Sequence, residues 1–368
     1  MSQIKIIFNL FYKIIFLSKW VFTKPKNTQI LVYDNESVKN FDSYLKNKKY
    51  EVFHVRFEQI NIFVIFYTIL SNGFRNLKQN YKINFFKFVS PKVVITLIDE
   101  NPGFFKLKNI YKCAKYVSIQ SCFKDNIFYD FIENYLKKQK NYKFGSDISF
   151  VLGENDKKKY KKYLDSKIVT LGSIRNNNYP IKKNYTSKIK EILFIGGKFA
   201  SSRDYKIFKI LKKYCKENKI KLNLLSKYPI SYHKKILKFY GEGDWKYLPR
   251  ENAKETYRIV NKAQFVVFDE STLGYEALSK NIKGVCFPEV FPYRFYSKNY
   301  KKKEGFFWST KIDEKKFNHK INKVISLKQS EWKSVITKNV NKILFYNPNN
   351  KIFEKTLKKI TSIKIISY

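Results

Sequence analysis

The sequence predicts an α/β protein built from two doubly wound parallel sheets, and three observations indicate this fold class. Short apolar, β-branched runs alternate with helical stretches, which is typical of parallel sheets covered by helices on both faces. The alternation stops at a polar stretch rich in Asn and Lys and then restarts. The chain of 368 residues is also long enough for two domains of ordinary size.

The first half of the chain contains six predicted strands. They are Gln29–Tyr33, Glu51–Val55, Lys92–Leu97, Lys115–Gln120, Ile148–Leu152 and Lys167–Leu171, with helices predicted at Val38–Asn47 and Asn61–Leu70. Ligands bind parallel sheets at the carboxyl ends of the strands. The polar residues at that edge are Asp34, Glu36, Asp99, Glu100 and Gln120. Each of them alone also suits an ordinary turn, so only their recurrence at one edge favours a binding site.

Residues 175–190 are predicted to be a linker between an N-terminal domain at 28–174 and a C-terminal domain at 191–345. A helical tail is predicted at 346–368. Extended stretches in the second half are Glu191–Ile195, Lys221–Leu225, Asp244–Leu248, Gln264–Phe268 and Lys283–Phe287. Helices are predicted at Tyr205–Asn218, Glu255–Lys262, Thr272–Lys280, Ile312–Tyr346 and Ile352–Ile363.

The stretch from Gln264 to Phe287 reads as one strand–helix–strand unit and is the main candidate for a binding site. Ser271 is the expected N-cap of its helix, whose first turn favours an anion such as phosphate. Gly274 lets the backbone approach a ligand closely. Thr272 and Glu276 share a helix face, so Thr272 could touch phosphate while Glu276 accepts ribose hydroxyls. An ordinary capped helix is the alternative reading of this spacing.

The composition limits the classes of partner. Lys and Arg number 74 against 30 Asp and Glu, a formal net charge of +44, which suits nucleic acid or an anionic membrane. Lys far outnumbers Arg, and there is no Arg-rich arm, zinc-ligand spacing or RNA-binding aromatic motif, so we expect no nucleic-acid partner. The four cysteines and three histidines are scattered, which predicts no metal site and no disulfide frame.

Residues 1–22 are apolar but carry three lysines. They lack the unbroken apolar core of a signal peptide and the uncharged length of a spanning helix. An amphipathic helix on a membrane surface is one interpretation, and a helix packed on the protein itself is the other.

The chain resembles bacterial surface-carbohydrate (lipopolysaccharide or capsule) biosynthesis proteins with the two-Rossmann GT-B glycosyltransferase architecture. The resemblance is carried, in order, by ILVYDNES (30–37), RFEQIN (56–61), PKVVITLIDEN (91–101), VSIQ (117–120), LGSIRNN (171–177), WKYLPR (245–250), DESTLGYEA (269–277), GFFW (305–308) and the tail around 346–348. After Gln120 the sequence departs from the family, with Ser121-Cys122 where Asn-Gly is expected.

This resemblance implies two Rossmann-like domains that face a cleft, with the nucleotide sugar on the C-terminal one and no metal or other cofactor. The implied donor-binding residues are Gly197, Lys198, Lys227, Arg250, Asp269, Ser271, Thr272, Gly274 and Glu276. An inverting transfer needs a carboxylate that takes the proton of the acceptor hydroxyl. The candidates for that base are Glu36, Asp99 and Glu100, and the acceptor-side candidates are Asn35, Glu58 and Gln120.

The sequence thus predicts a metal-independent glycosyltransferase that moves a sugar from a nucleotide-sugar to a lipid-linked or polysaccharide acceptor. It predicts a cytoplasmic protein that is peripherally associated with the anionic inner leaflet of the inner membrane. A CDP-polyol phosphotransferase or a nucleotide-sugar epimerase of the same fold is the alternative activity. A basic nucleic-acid-binding or scaffold protein is the alternative outside enzymes.

Overall fold

The structure is a computed structural model that describes residues 12–45, 47–124, 126–138, 144–181, 188–197, 201–226, 228–288 and 304–361. Its two main sheets are entirely parallel. The sheet of six strands has the order Tyr50–Phe53, Ile30–Tyr33, Val93–Thr96, Lys115–Ile119, Phe144–Val151 and Leu164–Thr170. The sheet of five strands has the order Trp245–Pro249, Lys221–Ser226, Glu191–Ile195, Phe265–Phe268 and Lys283–Cys286. The predicted fold class of two doubly wound parallel sheets is therefore confirmed. The predicted domain limits stay predictions.

The strands are short and mostly buried, which explains why they read as apolar runs. The first half contains β1 (Lys19–Val21), β2 (Ile30–Tyr33), β3 (Tyr50–Phe53), β4 (Gln59–Asn61), β5 (Val93–Thr96), β6 (Lys115–Ile119), β7 (Phe144–Val151) and β8 (Leu164–Thr170). The second half contains β9 (Glu191–Ile195), β10 (Lys221–Ser226), β11 (Trp245–Pro249), β12 (Phe265–Phe268) and β13 (Lys283–Cys286).

Helices connect the strands. Those of the first half are α1 (Asn35–Val38), α2 (Asp42–Leu45), α3 (Ile62–Asn72), α4 (Leu77–Val89), α5 (Pro102–Ile110), α6 (Asn126–Lys138), α7 (Glu154–Tyr163) and α8 (Ile174–Asn177). Those of the second half are α9 (Ser202–Glu217), α10 (His233–Tyr240), α11 (Ala253–Lys262), α12 (Thr272–Ser279), α13 (Glu314–Ile325), α14 (Gln329–Asn339) and α15 (Lys351–Thr361). The single long helix predicted at Ile312–Tyr346 is wrong, because α13 and α14 are separate helices.

Asparagine side chains fix the start of several helices. The Oδ1 atom of Asn61 accepts the amide of Val64 at 3.0 Å, and that of Asn101 accepts the amide of Gly103 at 2.8 Å. Such caps satisfy amides that have no partner inside the helix. They fix the points at which α3 and α5 leave the sheet, and α5 starts at the carboxyl edge of β5.

The C-terminal helix α15 returns to the N-terminal sheet. Phe353, Leu357 and Ile360 are buried in the same apolar cluster as the strands β2, β5 and β6. The ring of Phe353 stacks on Phe41 with centroids 5.9 Å apart and meets the edge of Phe150 at 5.5 Å. The described part of the tail predicted at 346–368 thus belongs to the apolar core of the N-terminal sheet.

Buried asparagines hold the crossing between the two halves. The Nδ2 of Asn177 donates to the carbonyl of Leu171 at 3.0 Å and to Oδ1 of Asn350 at 2.9 Å. The amide of Asn347 donates to Oδ1 of Asn177 at 3.0 Å. These bonds connect α8, in the stretch predicted as a linker, to the residues at the start of α15.

The described part of residues 1–22 corrects the prediction of one helix there. Lys13–Leu17 form a π-helical segment, and Lys19–Val21 form β1, which pairs in parallel with β4. Residues 1–11 lie outside the described residues. No helix within the described ranges is long and apolar enough to cross a membrane.

Candidate active site

The helix α12 begins directly after the buried strand β12, as predicted. Ser271 occupies the N-cap position, but its hydroxyl accepts no first-turn amide, which corrects the expected cap bond. Thr272 is half-buried rather than enclosed. Since the Ser271 side chain does not cap this helix start, its first amides and its partial positive charge can act on an anion.

The packing of α12 against β12 requires a glycine at position 274. The role expected from the sequence, close approach of the backbone to a ligand, stays a prediction. A methyl group added there would overlap three ring carbons of Phe268, which is fully buried at the end of β12. The ring of Tyr275 also meets that of Phe268 edge-on at 5.1 Å. The missing side chain therefore lets α12 lie close against β12.

We expect Gly274→Ala to lower the free energy of unfolding by about 1–3 kcal/mol, because the methyl group overpacks a rigid core. Chemical denaturation with urea measures the change. Gly145→Ala is the matched control, since its methyl group would first meet the flexible side chain of Lys108 at 3.2 Å. Wild-type stability of Gly274→Ala would show that the contact with Phe268 relaxes freely.

Arg250 and Glu276 converge beside the start of α12. Arg250 directly follows β11, and burial lowers its pKa below the ordinary value while the Glu276 carboxylate raises it. Its Nε and Nη2 atoms are buried and make no hydrogen bond within the described part of the chain. A buried guanidinium without hydrogen-bond acceptors is costly, so these atoms indicate a place for a ligand that supplies them.

Glu276 is buried and is held by Tyr257 of α11. The Tyr257 hydroxyl donates to Oε2 of Glu276 at 2.8 Å. Burial and the Glu276 carboxylate raise the pKa of Tyr257 well above its ordinary value, so the hydroxyl stays protonated and keeps donating. This bond fixes the position of the Glu276 carboxylate.

Residues of the first half touch the same helix. The Nδ2 atom of Asn176 donates to the Glu276 carbonyl at 3.3 Å and to Oγ of Ser279 at 3.2 Å. The ring of Phe123 meets Tyr275 edge-on at 5.4 Å. Nη2 of Arg175 donates to the Ser121 carbonyl at 2.8 Å. The segment after β6 and the start of α8 thus border the candidate donor site.

Asp99 and Glu100 lie together around Lys124. The Lys124 ammonium is 3.2 Å from Oδ1 of Asp99 and 2.8 Å from Oε2 of Glu100. Asp99 is buried and also accepts the Tyr160 hydroxyl, and burial raises its pKa above the ordinary value. Glu100 keeps a side-chain exposure of 53%. Asp99 is therefore enclosed by its partners, whereas Glu100 can reach solvent or a substrate.

A second charged group lies at the ends of β2 and β3. Arg56 pairs with Glu36 and lies 3.4 Å from Oδ2 of Asp34. The Arg56 amide donates to Oε2 of Glu58 at 3.2 Å. Burial raises the pKa of Asp34, and Arg56 lowers it. Asn35 is exposed beside this group. The candidates Glu36 and Glu58 thus both contact Arg56. They form a group separate from Asp99 and Glu100, which contact Lys124.

Three other candidates have structural partners. Gln120 is buried, and its Oε1 accepts the Leu152 amide at 2.9 Å. Nε of Arg203 lies 3.6 Å from Oδ1 of Asp269. The Gly197 amide donates to Oδ2 of Asp204 at 3.0 Å, and burial raises the pKa of Asp204 to about 6. The Gly197 amide is therefore already engaged. Lys198 and Lys227 lie outside the described residues.

The residues that sequence reasoning missed act through partners distant in sequence. Lys124 reaches a carboxylate 24 positions away, and Tyr257 reaches one 19 positions away. A lysine after a strand and a tyrosine within a helix carry no local signal of such roles. Asp34 could have been chosen, because it follows β2 as Asp99 follows β5. The described residues contain no group of three or more His, Cys, Asp or Glu that could hold a metal ion.

Comparison with known proteins supports the resemblance over part of the chain. Residues 199–361 match the model of a family described as "putative O-antigen biosynthesis protein". No curated protein matches the sequence. The matched segment contains β10 to β13, α12 and the Arg250–Glu276 pair.

Solved structures agree in fold. A UDP-N-acetylglucosamine 2-epimerase aligns at a TM-score of 0.51 with 12% identity, covering 91% of this chain and 95% of that chain. A glycosylation associate protein complex from Streptococcus agalactiae aligns at 0.48 with 10% identity, covering 78% and 58%. The pneumococcal O-GlcNAc transferase GtfA, in complex with UDP and GlcNAc, aligns at 0.45 with 13% identity, covering 77% and 60%.

This chain spans less than two thirds of the last two of these proteins. At 12% identity, the likeness to the epimerase establishes the fold and not the activity. The resemblance stated from the sequence is nevertheless confirmed: the chain has the two-sheet, GT-B-like fold, and its second half matches the O-antigen biosynthesis family model.

Proposed function

We propose that this protein is a glycosyltransferase of surface-polysaccharide biosynthesis that moves a sugar from a nucleotide-sugar to a lipid-linked or polysaccharide acceptor. The observation that carries the proposal is Arg250, whose buried Nε and Nη2 atoms have no acceptor among the described residues and which lies near Glu276 of α12. A nucleotide diphosphate supplies both the acceptor oxygens and the negative charge that this arrangement favours.

In the proposed complex, Arg250 and the first-turn amides of α12 bind the phosphates of the donor. Oε1 of Glu276 accepts a ribose hydroxyl, while the Tyr257 hydroxyl holds the carboxylate in place. During transfer the bond between the sugar carbon and the phosphate oxygen breaks, and negative charge develops on the departing nucleotide. Fixed cationic and amide donors stabilise that charge without reorganisation.

The acceptor hydroxyl requires a base, and we assign this role to Glu100. Glu100 is the exposed carboxylate of the pair around Lys124, whereas Asp99 is enclosed and is better suited to position the lysine. The acceptor oxygen forms the new bond to the sugar carbon as its proton passes to Glu100. Glu36 is the alternative base, because it too is exposed and is paired with one cation, Arg56.

An exposed apolar surface supports the proposed membrane association. We define the apolar surface as the exposed residues Tyr12, Ile15, Phe16, Leu17, Trp20, Phe22, Phe63, Phe66, Tyr67, Leu70 and Phe74. Strand β1 pairs with β4, and β4 runs directly into α3. This pairing brings the exposed apolar residues at 12–22 close to those at 63–74. Soluble proteins rarely expose so many large apolar side chains without a partner.

Cations accompany this surface. Phe88 contacts Phe63 with centroids 5.4 Å apart and Tyr67 at 4.8 Å, and the Lys24 ammonium lies 5.2 Å from the centre of its ring. Lys19 is exposed on β1. An apolar face bordered by lysines suits the headgroup region of an anionic leaflet, where a lipid-linked acceptor is located.

A thermal-shift screen against UDP, GDP, dTDP, CMP and CDP and their sugars tests the proposed function. We expect at least one nucleotide to raise the melting temperature, because a ligand that binds only the folded state stabilises it. The matching nucleotide-sugar should then lose its sugar to a lipid-linked acceptor. Conversion of the donor sugar to its epimer without an acceptor would identify an epimerase instead.

Two other outcomes would replace the proposal. Transfer of a polyol phosphate from a CDP-polyol would identify a phosphotransferase of the same fold. Absence of any nucleotide shift, together with tight and steeply salt-dependent binding to DNA or RNA, would identify a basic nucleic-acid-binding protein.

A further inference from the structure

A cavity of about 370 Å³ lies between α4 and α5, away from Arg250 and Glu276. It is lined by the first half of α4 and by residues along α5 from Gly103 to Ile110, and its size falls within the range of small-ligand sites. Three lysines line it, Lys78 and Lys82 from α4 and Lys106 from α5, and its lining contains no carboxylate. Nothing in the proposed transfer uses this cavity.

The three lysines have no counter-charge in the part of the chain that the structure describes. None of them forms an ion pair with a carboxylate there, although the Lys106 ammonium lies 5.7 Å from the centre of the Tyr135 ring. Lys82 is half-buried, and burial together with the neighbouring Lys78 lowers its pKa. An anion in the cavity would remove this mutual repulsion and favour the charged forms.

Next to Gly103, a lining residue of the cavity, lies a buried hydroxyl without a partner among the described residues. The side chain of Tyr33 is fully buried, and its hydroxyl makes no hydrogen bond among the described residues. The position that a Cβ of Gly103 would occupy lies 3.5 Å from this hydroxyl and 3.6 Å from the Lys82 ammonium. The Tyr33 hydroxyl and the Lys82 ammonium, both hydrogen-bond donors, therefore approach the same side of Gly103, beside Oδ1 of Asn101, which lies 2.9 Å from that position.

Both helices present their N-termini at this place. Because α4 leads into β5 and α5 leaves it, the two helices run in the same direction and begin at the carboxyl edge of the sheet. No side chain caps α4, whose N-cap residue is Asn76. Asn101 already caps the start of α5, so it is the partial positive charge at the start of α4 that adds to the charge of the lysines.

We propose that this cavity binds a phosphate group. Phe74 and Arg75, both exposed, connect the apolar surface to Asn76 at the cavity wall, so the phosphate of a lipid bound along that surface can reach the lysines. Free phosphate or pyrophosphate presents the same chemistry. Use of the site by the phosphate of a lipid-linked acceptor rests on the proposed function; the binding of phosphate does not.

Calorimetry at low salt, without any nucleotide, tests the proposal with two probes. Inorganic pyrophosphate represents the free anion, and a short-chain phosphatidic acid below its micelle concentration represents the lipid. We expect Lys82→Gln and Lys106→Gln each to weaken binding about tenfold or more, as for loss of one charge-assisted hydrogen bond. Lys87→Gln removes the same charge from an exposed position at the other end of α4 and should bind as wild type does.

Every outcome of this comparison bears on the cavity. Unchanged binding by Lys82→Gln and Lys106→Gln, or an equal loss in Lys87→Gln, would overturn the proposal. So would loss of pyrophosphate binding in Arg250→Gln alone, which would place the anion at the donor site. Tighter binding of phosphatidic acid than of pyrophosphate would support the lipid source, and equal binding would support the free anion. If Lys82→Gln melts early, Lys106→Gln and Lys78→Gln, which remove the other two lysines of the lining, carry the test.

Discussion

Arg250→Gln should weaken nucleotide binding by about 10- to 100-fold, and a melting curve of the unliganded variant shows whether it is folded. The two buried nitrogens of Arg250 have no acceptors within the described residues, so the replacement breaks none of their hydrogen bonds in the free protein, although it removes a positive charge near the buried Glu276. In the complex each charge-assisted hydrogen bond contributes about 1.5–3 kcal/mol. Calorimetric titration with the nucleotide identified by the screen measures the loss.

The matched control is Arg258→Gln. Arg258 lies on α11 and pairs on the surface with Glu255, with Nε 2.7 Å from Oε2. Its replacement removes the same charge without touching the candidate donor site. Equal losses in the two variants would reveal a general charge effect, and wild-type affinity of Arg250→Gln would remove Arg250 from the site.

Replacing two residues of the apolar surface should abolish most vesicle binding. Phe66 and Leu70 on α3 have exposures of 64% and 87%, so serine at both positions costs the fold little. Insertion of both side chains into lipid contributes about 3 kcal/mol or more, which corresponds to roughly a hundredfold change in affinity. Sedimentation with vesicles containing 30% anionic phospholipid, about the charge of an inner leaflet, measures the effect.

The control for this prediction is the double replacement Phe131→Ser and Ile230→Ser. These side chains have similar exposures, 56% and 57%, but lie outside the apolar surface. Vesicle binding that falls equally in both double variants would contradict a specific membrane surface. Wild-type affinity of the α3 variant would assign the exposed helix face to a different partner.

The positions along the chain of the strands in the two main sheets could be predicted closely from the sequence. Strands buried on both faces are nearly continuous apolar runs that end in polar turns. Glu191–Ile195 is reproduced without change, and most other strands differ from prediction by one to three residues. The helices were less visible. The charged sequence of α7 has little apolar periodicity. Of the side chains that the structure describes in this helix, only those of Asp156 and Tyr160 are buried in the protein.

The candidate site was predicted only in part. The position of α12, and of Arg250 and Glu276 near one another, follows from strand ends that must share a sheet edge. The capping of α12, the packing role of Gly274 and the enclosure of Asp99 do not follow, because each depends on atoms supplied by another element.

By itself, the sequence determined the two parallel sheets and the edge at which polar residues gather, since apolar runs and turn residues encode both locally. Only the tertiary structure decided which of those residues are enclosed and which are open. Lys124 pairs with Asp99, Arg203 lies beside Asp269, and two nitrogens of Arg250 have no acceptor in the part of the chain that the structure describes. These differences arise from contacts between segments far apart in the chain, whose distances no local pattern records.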